Sequence, residues 1–166
     1  MDSIGPWQSI GEELYILAQG VLALALGGAL GWERELAGKW AGLRTHMLVC
    51  LAAMLFVKVG QFVILDAQAL LRADTLRTDP VRIIEAIVTG VAFLGAGTVF
   101  RDPDLPKARG LTTAASLLVV APIGVAVAIE RYVLAFGATL LALFVLRVMR
   151  RFEIALDDPR GKQQDD

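Results

Sequence analysis

Long apolar stretches alternate with short charged ones along this chain. Three of the stretches, Leu14–Trp32, Ala86–Phe100 and Gly110–Ile129, hold no charged residue at all. A helix needs roughly 20 mostly apolar residues to cross about 30 Å of hydrocarbon. Lipid offers no partner to an open backbone amide, so only helices and closed barrels span it. The two-residue alternation of a barrel is absent. The pattern therefore predicts an all-α fold, a multi-pass transmembrane helical bundle of about five spans. These are Leu14–Trp32, Thr45–Leu65 (broken by Lys58), Ile83–Phe100 (with Glu85 near its start), Leu111–Ile129 (with Pro122 inside) and Tyr132–Met149. Residues 1–13 precede the bundle. Residues 150–166 form a polar tail, too short and too charged to fold.

Composition removes other classes. Of 166 residues, 56% are hydrophobic and 20% charged, which excludes a disordered chain and argues against a soluble enzyme. The single cysteine, Cys50, forbids an internal disulfide, and the single histidine, His46, cannot build a multi-histidine metal site. A net charge of −1 gives no basic field for nucleic acid. The first thirteen residues carry Asp2, Glu12 and Glu13 but no lysine or arginine, so the first span reads as a retained helix rather than a cleaved leader.

Charge also sets an orientation. Arg34, Lys39, Arg44, Arg101, Lys107, Arg109, Arg147, Arg150, Arg151, Arg160 and Lys162 fall on one side of a five-span chain, against Arg72, Arg77, Arg82 and Arg131 on the other. Basic residues mark the cytoplasmic face. The N-terminus is expected outside and the C-terminus in the cytoplasm, in a bacterial inner membrane.

Helices in lipid associate through close approach of small residues and through polar contacts. Ala23, Gly27 and Gly31 recur at four-residue steps in the first span, and Ala86, Gly90, Gly95 and Gly97 lie in the third. Gly124 and Ala128, then Ala138 and Ala142, supply similar faces later in the chain. Tight packing inside the chain is the plainer reading of these faces; a homo-oligomeric interface built from one of them is the alternative.

The expected threading gathers the polar motifs at the cytoplasmic boundary. Glu33 and Glu35 flank Arg34 where the first span leaves it, and Arg44, Thr45 and His46 open the second. Gly95 and Gly97 reach the same boundary, and Arg109, Gly110, Thr112 and Thr113 start the fourth span. Solvated charge, snorkelling and helix capping explain each of them separately. Together they form a candidate functional cluster. The amides at Thr112–Thr113 attract an acidic group, which Glu33 or Glu35 can supply; the same acids can pair with Arg44 or Arg109. Carboxylates also suit hydrated magnesium, which takes one or two and keeps its waters. A second expectation concerns the outer half of the bilayer, where Lys58 and Glu85 form an intramembrane pair, since charge in a span ordinarily marks function. No nucleophile–base pair or metal-ligand set stands out, so the chain is not expected to be an enzyme.

Several of these strings, in order, resemble the MgtC/SapB membrane proteins. They are Gly31-Trp32-Glu33-Arg34-Glu35, Ala41 through Val49, Asp79 through Ile83, Gly90 through Gly97, and Arg109 through Ser116. The resemblance runs from about Val21 to Arg147. It implies a bacterial inner-membrane protein linked to growth at low magnesium, acid tolerance and virulence. It further implies either a regulator of a membrane-protein partner such as the proton-driven ATP synthase, or a magnesium transporter or channel formed by an oligomer. Magnesium is the one small ligand it suggests. The matching positions are Glu33, Arg44, Thr45, His46, Gly95, Gly97, Arg109, Gly110, Thr112 and Thr113. Ala86 and Leu118 stand where the family often has glutamine and tryptophan, and Lys58 falls in a span usually uncharged. The soluble C-terminal domain of longer members has no counterpart in residues 150–166.

Overall fold

The computed structural model describes residues 6–71, 79–99 and 109–156, which form five helices. They are α1 (Pro6–Leu36), α2 (Leu43–Leu71), α3 (Pro80–Ala96), α4 (Leu111–Ala128) and α5 (Tyr132–Leu156). Ile10–Leu36, Leu43–Leu65 and Leu111–Ala128 are long and apolar enough to cross a membrane, and Tyr132–Val148 is a shorter apolar helix. At 17 residues, α3 reaches about 25 Å, just under the hydrocarbon thickness. The protein is an all-α membrane helical bundle.

The helix ends follow local chemistry. Pro80 occupies the first turn of α3, where a missing N–H costs nothing, and Asp79 caps that helix by accepting the Val81 N–H at 3.0 Å. At the end of α1, Gly38 takes φ +64° while Lys39 N–H donates to Arg34 O and Gly38 N–H to Glu35 O. This is a Schellman closure with glycine at its left-handed position. The end of α4 repeats that bond pattern, from Arg131 to Ala126 and from Glu130 to Val127, but its left-handed residue is Glu130, at φ +62°.

Among the described residues α4 touches all four other helices. Its buried residues, from Thr113 and Ser116 to Val127 and Ala128, cover most of its circumference and leave one exposed stripe along Thr112, Ala115, Val119 and Pro122. Helices α1 and α2 are antiparallel neighbours. Gly27 lies over the His46 carbonyl oxygen and the Cys50 Cβ, and Gly31 over the Leu43 Cα, so closely that a Cβ at either position would stand 2.7 Å from those atoms. Gly124 of α4 presses on Cys50 O and Ala53 in the same manner, and α2 and α4 run in the same direction. Gly95 of α3 meets Ala114.

Four expectations need correction. Gly90 has open space where a Cβ would project, and Gly97 touches only its own helix, so neither lets helices approach within the chain. Lys58 does not meet Glu85. Its acidic neighbour among the described residues is Glu130, 3.8 Å away, because the α4–α5 turn overhangs that part of α2 while Glu85 faces outward. The tail is helical over its first residues: α5 continues to Leu156, since Arg150–Leu156 contains no helix breaker. The rest of the tail, with Arg101, Lys107, Arg72 and Arg77, lies outside the described residues.

Candidate functional site

At the end of the bundle where α1 turns into α2 and α4 begins, the structure buries charge and imidazole together. Glu33 is 4% exposed, Arg34 2% and His46 0%. Residue 33 sits in the last turn of α1, and Arg34 folds its guanidinium back on it, so that Nε donates to Glu33 Oε2 and Nη2 forms an ion pair with the same oxygen. Neither Arg44 nor Arg109 takes that role; both are exposed. A buried carboxylate is costly without a partner, and the adjacent arginine supplies one without needing a second helix.

Glu35 points the other way. Its Oε2 accepts the Leu43 N–H at 2.9 Å, across Gly42, where a side chain would collide with the carboxylate. It thus answers the N-terminus of α2, the helix next in sequence, rather than that of α4. A negative group there completes the unpaired amides and favours the helix dipole.

His46 joins α2 to α4. Its Nδ1 lies 2.9 Å from Gly42 O, and its Nε2 3.0 Å from Ser116 Oγ. The Ser116 hydroxyl also lies 2.8 Å from Thr113 O, to which it can donate. Three bonds therefore compete for the one ring hydrogen of a neutral imidazole and the one hydroxyl hydrogen of Ser116. A protonated imidazolium satisfies all three, and a neutral ring leaves one short.

The remaining positions sort by depth. Thr113 is buried in α4, Thr112 is exposed and Thr45 is partly covered. Gly110, not a threonine, caps α4, with φ +90° and a Cβ position occupied by Thr98 O. Glu33, His46 and Thr113 thus enter the interior while Glu35, Arg44, Arg109 and Thr112 stay at its rim. Among the described residues no group of three acidic, histidine or cysteine side chains is placed to hold a metal ion.

A model of the MgtC family matches residues 21–155. The chain belongs to the MgtC family. A relative in Escherichia coli K12, named "Putative magnesium transporter YhiD", is 38% identical over 137 residues, covering 82% of this chain and 61% of its own length. Protein MgtC of Brucella abortus (strain 2308) is 39% identical over 103 residues, 62% of this chain and 38% of that protein. Protein MgtC of Salmonella typhimurium is 36% identical over 121 residues, 73% of this chain and 46% of its own length. The chain therefore spans about three fifths or less of these relatives. No solved structure matches it. Family membership and the apolar helices together make this a multi-pass membrane protein.

Sequence reasoning missed two groups in this MgtC-family bundle. Arg34 read as a solvated neighbour of two acids and is instead the buried partner of one. At the opposite end, Gln19 Nε2 donates to Tyr132 Oη at 2.9 Å and to Val127 O at 3.4 Å, and the hydroxyls of Tyr15 and Tyr132 lie 2.6 Å apart. A neutral glutamine in an apolar run gave no charge signal; its place as the lone amide in Leu14–Trp32 was the available clue.

Proposed function

We propose that this chain is a non-enzymatic regulator or scaffold of the bacterial inner membrane, with its N-terminus outside and C-terminus inside, that serves magnesium homeostasis, acid stress or virulence by engaging a membrane-protein partner. Membership of the MgtC family and the name of the Escherichia coli relative support the link to magnesium. The observation that carries the regulatory reading is the use of the cluster's polar atoms inside the chain. Glu33 neutralises Arg34, Glu35 caps α2, and His46 bonds on both ring nitrogens. Glu35 and His46 thereby tie α1 to α2 and α2 to α4, which favours a packed interior over a hydrated cation path. The proton-driven ATP synthase is the partner class that the family resemblance suggests, and a homo-oligomer is the assembly.

The second reading is a magnesium transporter or channel formed by an oligomer, favoured by the name that the Escherichia coli relative carries. Purified chain in liposomes holding a magnesium reporter separates the two. The regulatory reading expects no uptake above empty vesicles, together with recovery of a membrane complex when the chain is isolated from its own membrane. Magnesium uptake above empty vesicles by the unaltered chain establishes transport instead.

A further inference from the structure

Helices α2 and α3 stand slightly apart, leaving an apolar groove of about 650 Å³ between them. That volume lies within the usual ~300–1,000 Å³ range of ligand sites. Its walls are apolar side chains and glycines such as Ala52, Phe56, Ala86, Gly90 and Leu94, and the one charged side chain lining it is Arg82. The groove follows α3 from Arg82 to Leu94, twelve residues or about 18 Å, close to the ~15 Å depth of one leaflet's acyl region. Arg82 lies in the first turn of α3, where a headgroup would sit. Asp79 Oδ1 accepts the Val81 N–H, and among the described residues Arg82 is exposed and makes no ion pair. The floor is open at Gly90, where nothing lies within 4 Å of a Cβ position.

We infer that this groove holds one phospholipid of the bilayer, its acyl chain lying along Ala86 and Gly90 and its phosphate on the Arg82 guanidinium. A cation at the headgroup level of a one-leaflet apolar slot is complementary to a lipid, with its anion at one end of a long apolar tail. A second protein helix would have to bring an anionic residue to the same height. The inference is independent of whether the chain regulates or transports.

The test is native mass spectrometry of the full chain, extracted in mild detergent from vesicles of phosphatidylcholine with phosphatidylglycerol. One phosphatidylglycerol should remain bound after washing. Arg82→Gln should lower that occupancy about fivefold, as expected for removing one basic contact near a membrane surface. Gly90→Leu, which fills the groove from a position with free space, should abolish it while leaving helical content unchanged. Arg131→Gln, an exposed arginine away from the groove, should leave it intact. Equal loss in Arg82→Gln and Arg131→Gln, retention in Gly90→Leu, or a dimer that Gly90→Leu converts to monomer would each overturn the assignment.

Discussion

The α1–α2–α4 contact and the outer face of α3 use the same residue types to opposite ends. In the first, glycines at 27, 31 and 124 bring backbone against backbone, and a charged pair and an imidazole are sealed at one end. In the second, Ala86, Gly90 and Leu94 border an open groove, and Phe93 is exposed. Lipid supplies no hydrophobic force between helices, so association rests on how closely small residues let them approach and on the polar bonds formed there. A glycine therefore contributes according to what lies across from it, not according to its spacing. The closed side holds the bundle together, and α3 adds a thinner contact through Ile87, Val91 and Gly95.

The largest break in this contrast should come from Glu33→Gln. It strands the Arg34 guanidinium in the interior and should cost about 3–5 kcal/mol in reversible unfolding by denaturant in micelles. Replacing both partners with apolar residues should recover most of that loss. Next, Gly27→Ala should destabilise by roughly 1–3 kcal/mol, because its methyl meets Cys50 Cβ and His46 O. Gly90→Ala should instead be neutral or stabilising by up to about 1 kcal/mol, since alanine is the better helix former and has room. Equal effects at the two glycines would erase the distinction between the regions. Ser116→Ala removes the partner of His46 Nε2 and should cost about 1–2 kcal/mol in the same titration. The smallest effect belongs to Lys58 and Glu130. With Glu130 53% exposed, a double-mutant cycle of Lys58→Met and Glu130→Gln should give a coupling below about 1 kcal/mol.

The five helices were legible because apolar runs of this length have few other uses, although α3 begins at Pro80, three residues before the Ile83 that hydropathy suggested. The candidate cluster was legible as a location, since Glu33, His46 and Thr113 do share one end of the bundle. Its pairings were not. Arg34 reaches Glu33 because burial leaves it no water to prefer, and burial depends on where α2 and α4 sit. Lys58 meets Glu130 rather than Glu85 because α4 ends in a left-handed residue that directs its turn over α2, a position ordinarily given to glycine and invisible in a glutamate. Gly90 and Gly27 look alike by spacing, because each follows an alanine four positions earlier, Ala86 and Ala23.

Burial of Glu33, Arg34, His46 and Thr113 to 4% exposure or less closes that end of the interior to water. In a Cys50→Ala background, Thr113→Cys should resist a membrane-impermeant maleimide in native vesicles from either side and react fully after unfolding, while Arg44→Cys, on the exposed rim, reacts at once. Labelling of residue 113 in the folded protein, slowed by added magnesium, would contradict the account and make the cluster part of an ion path.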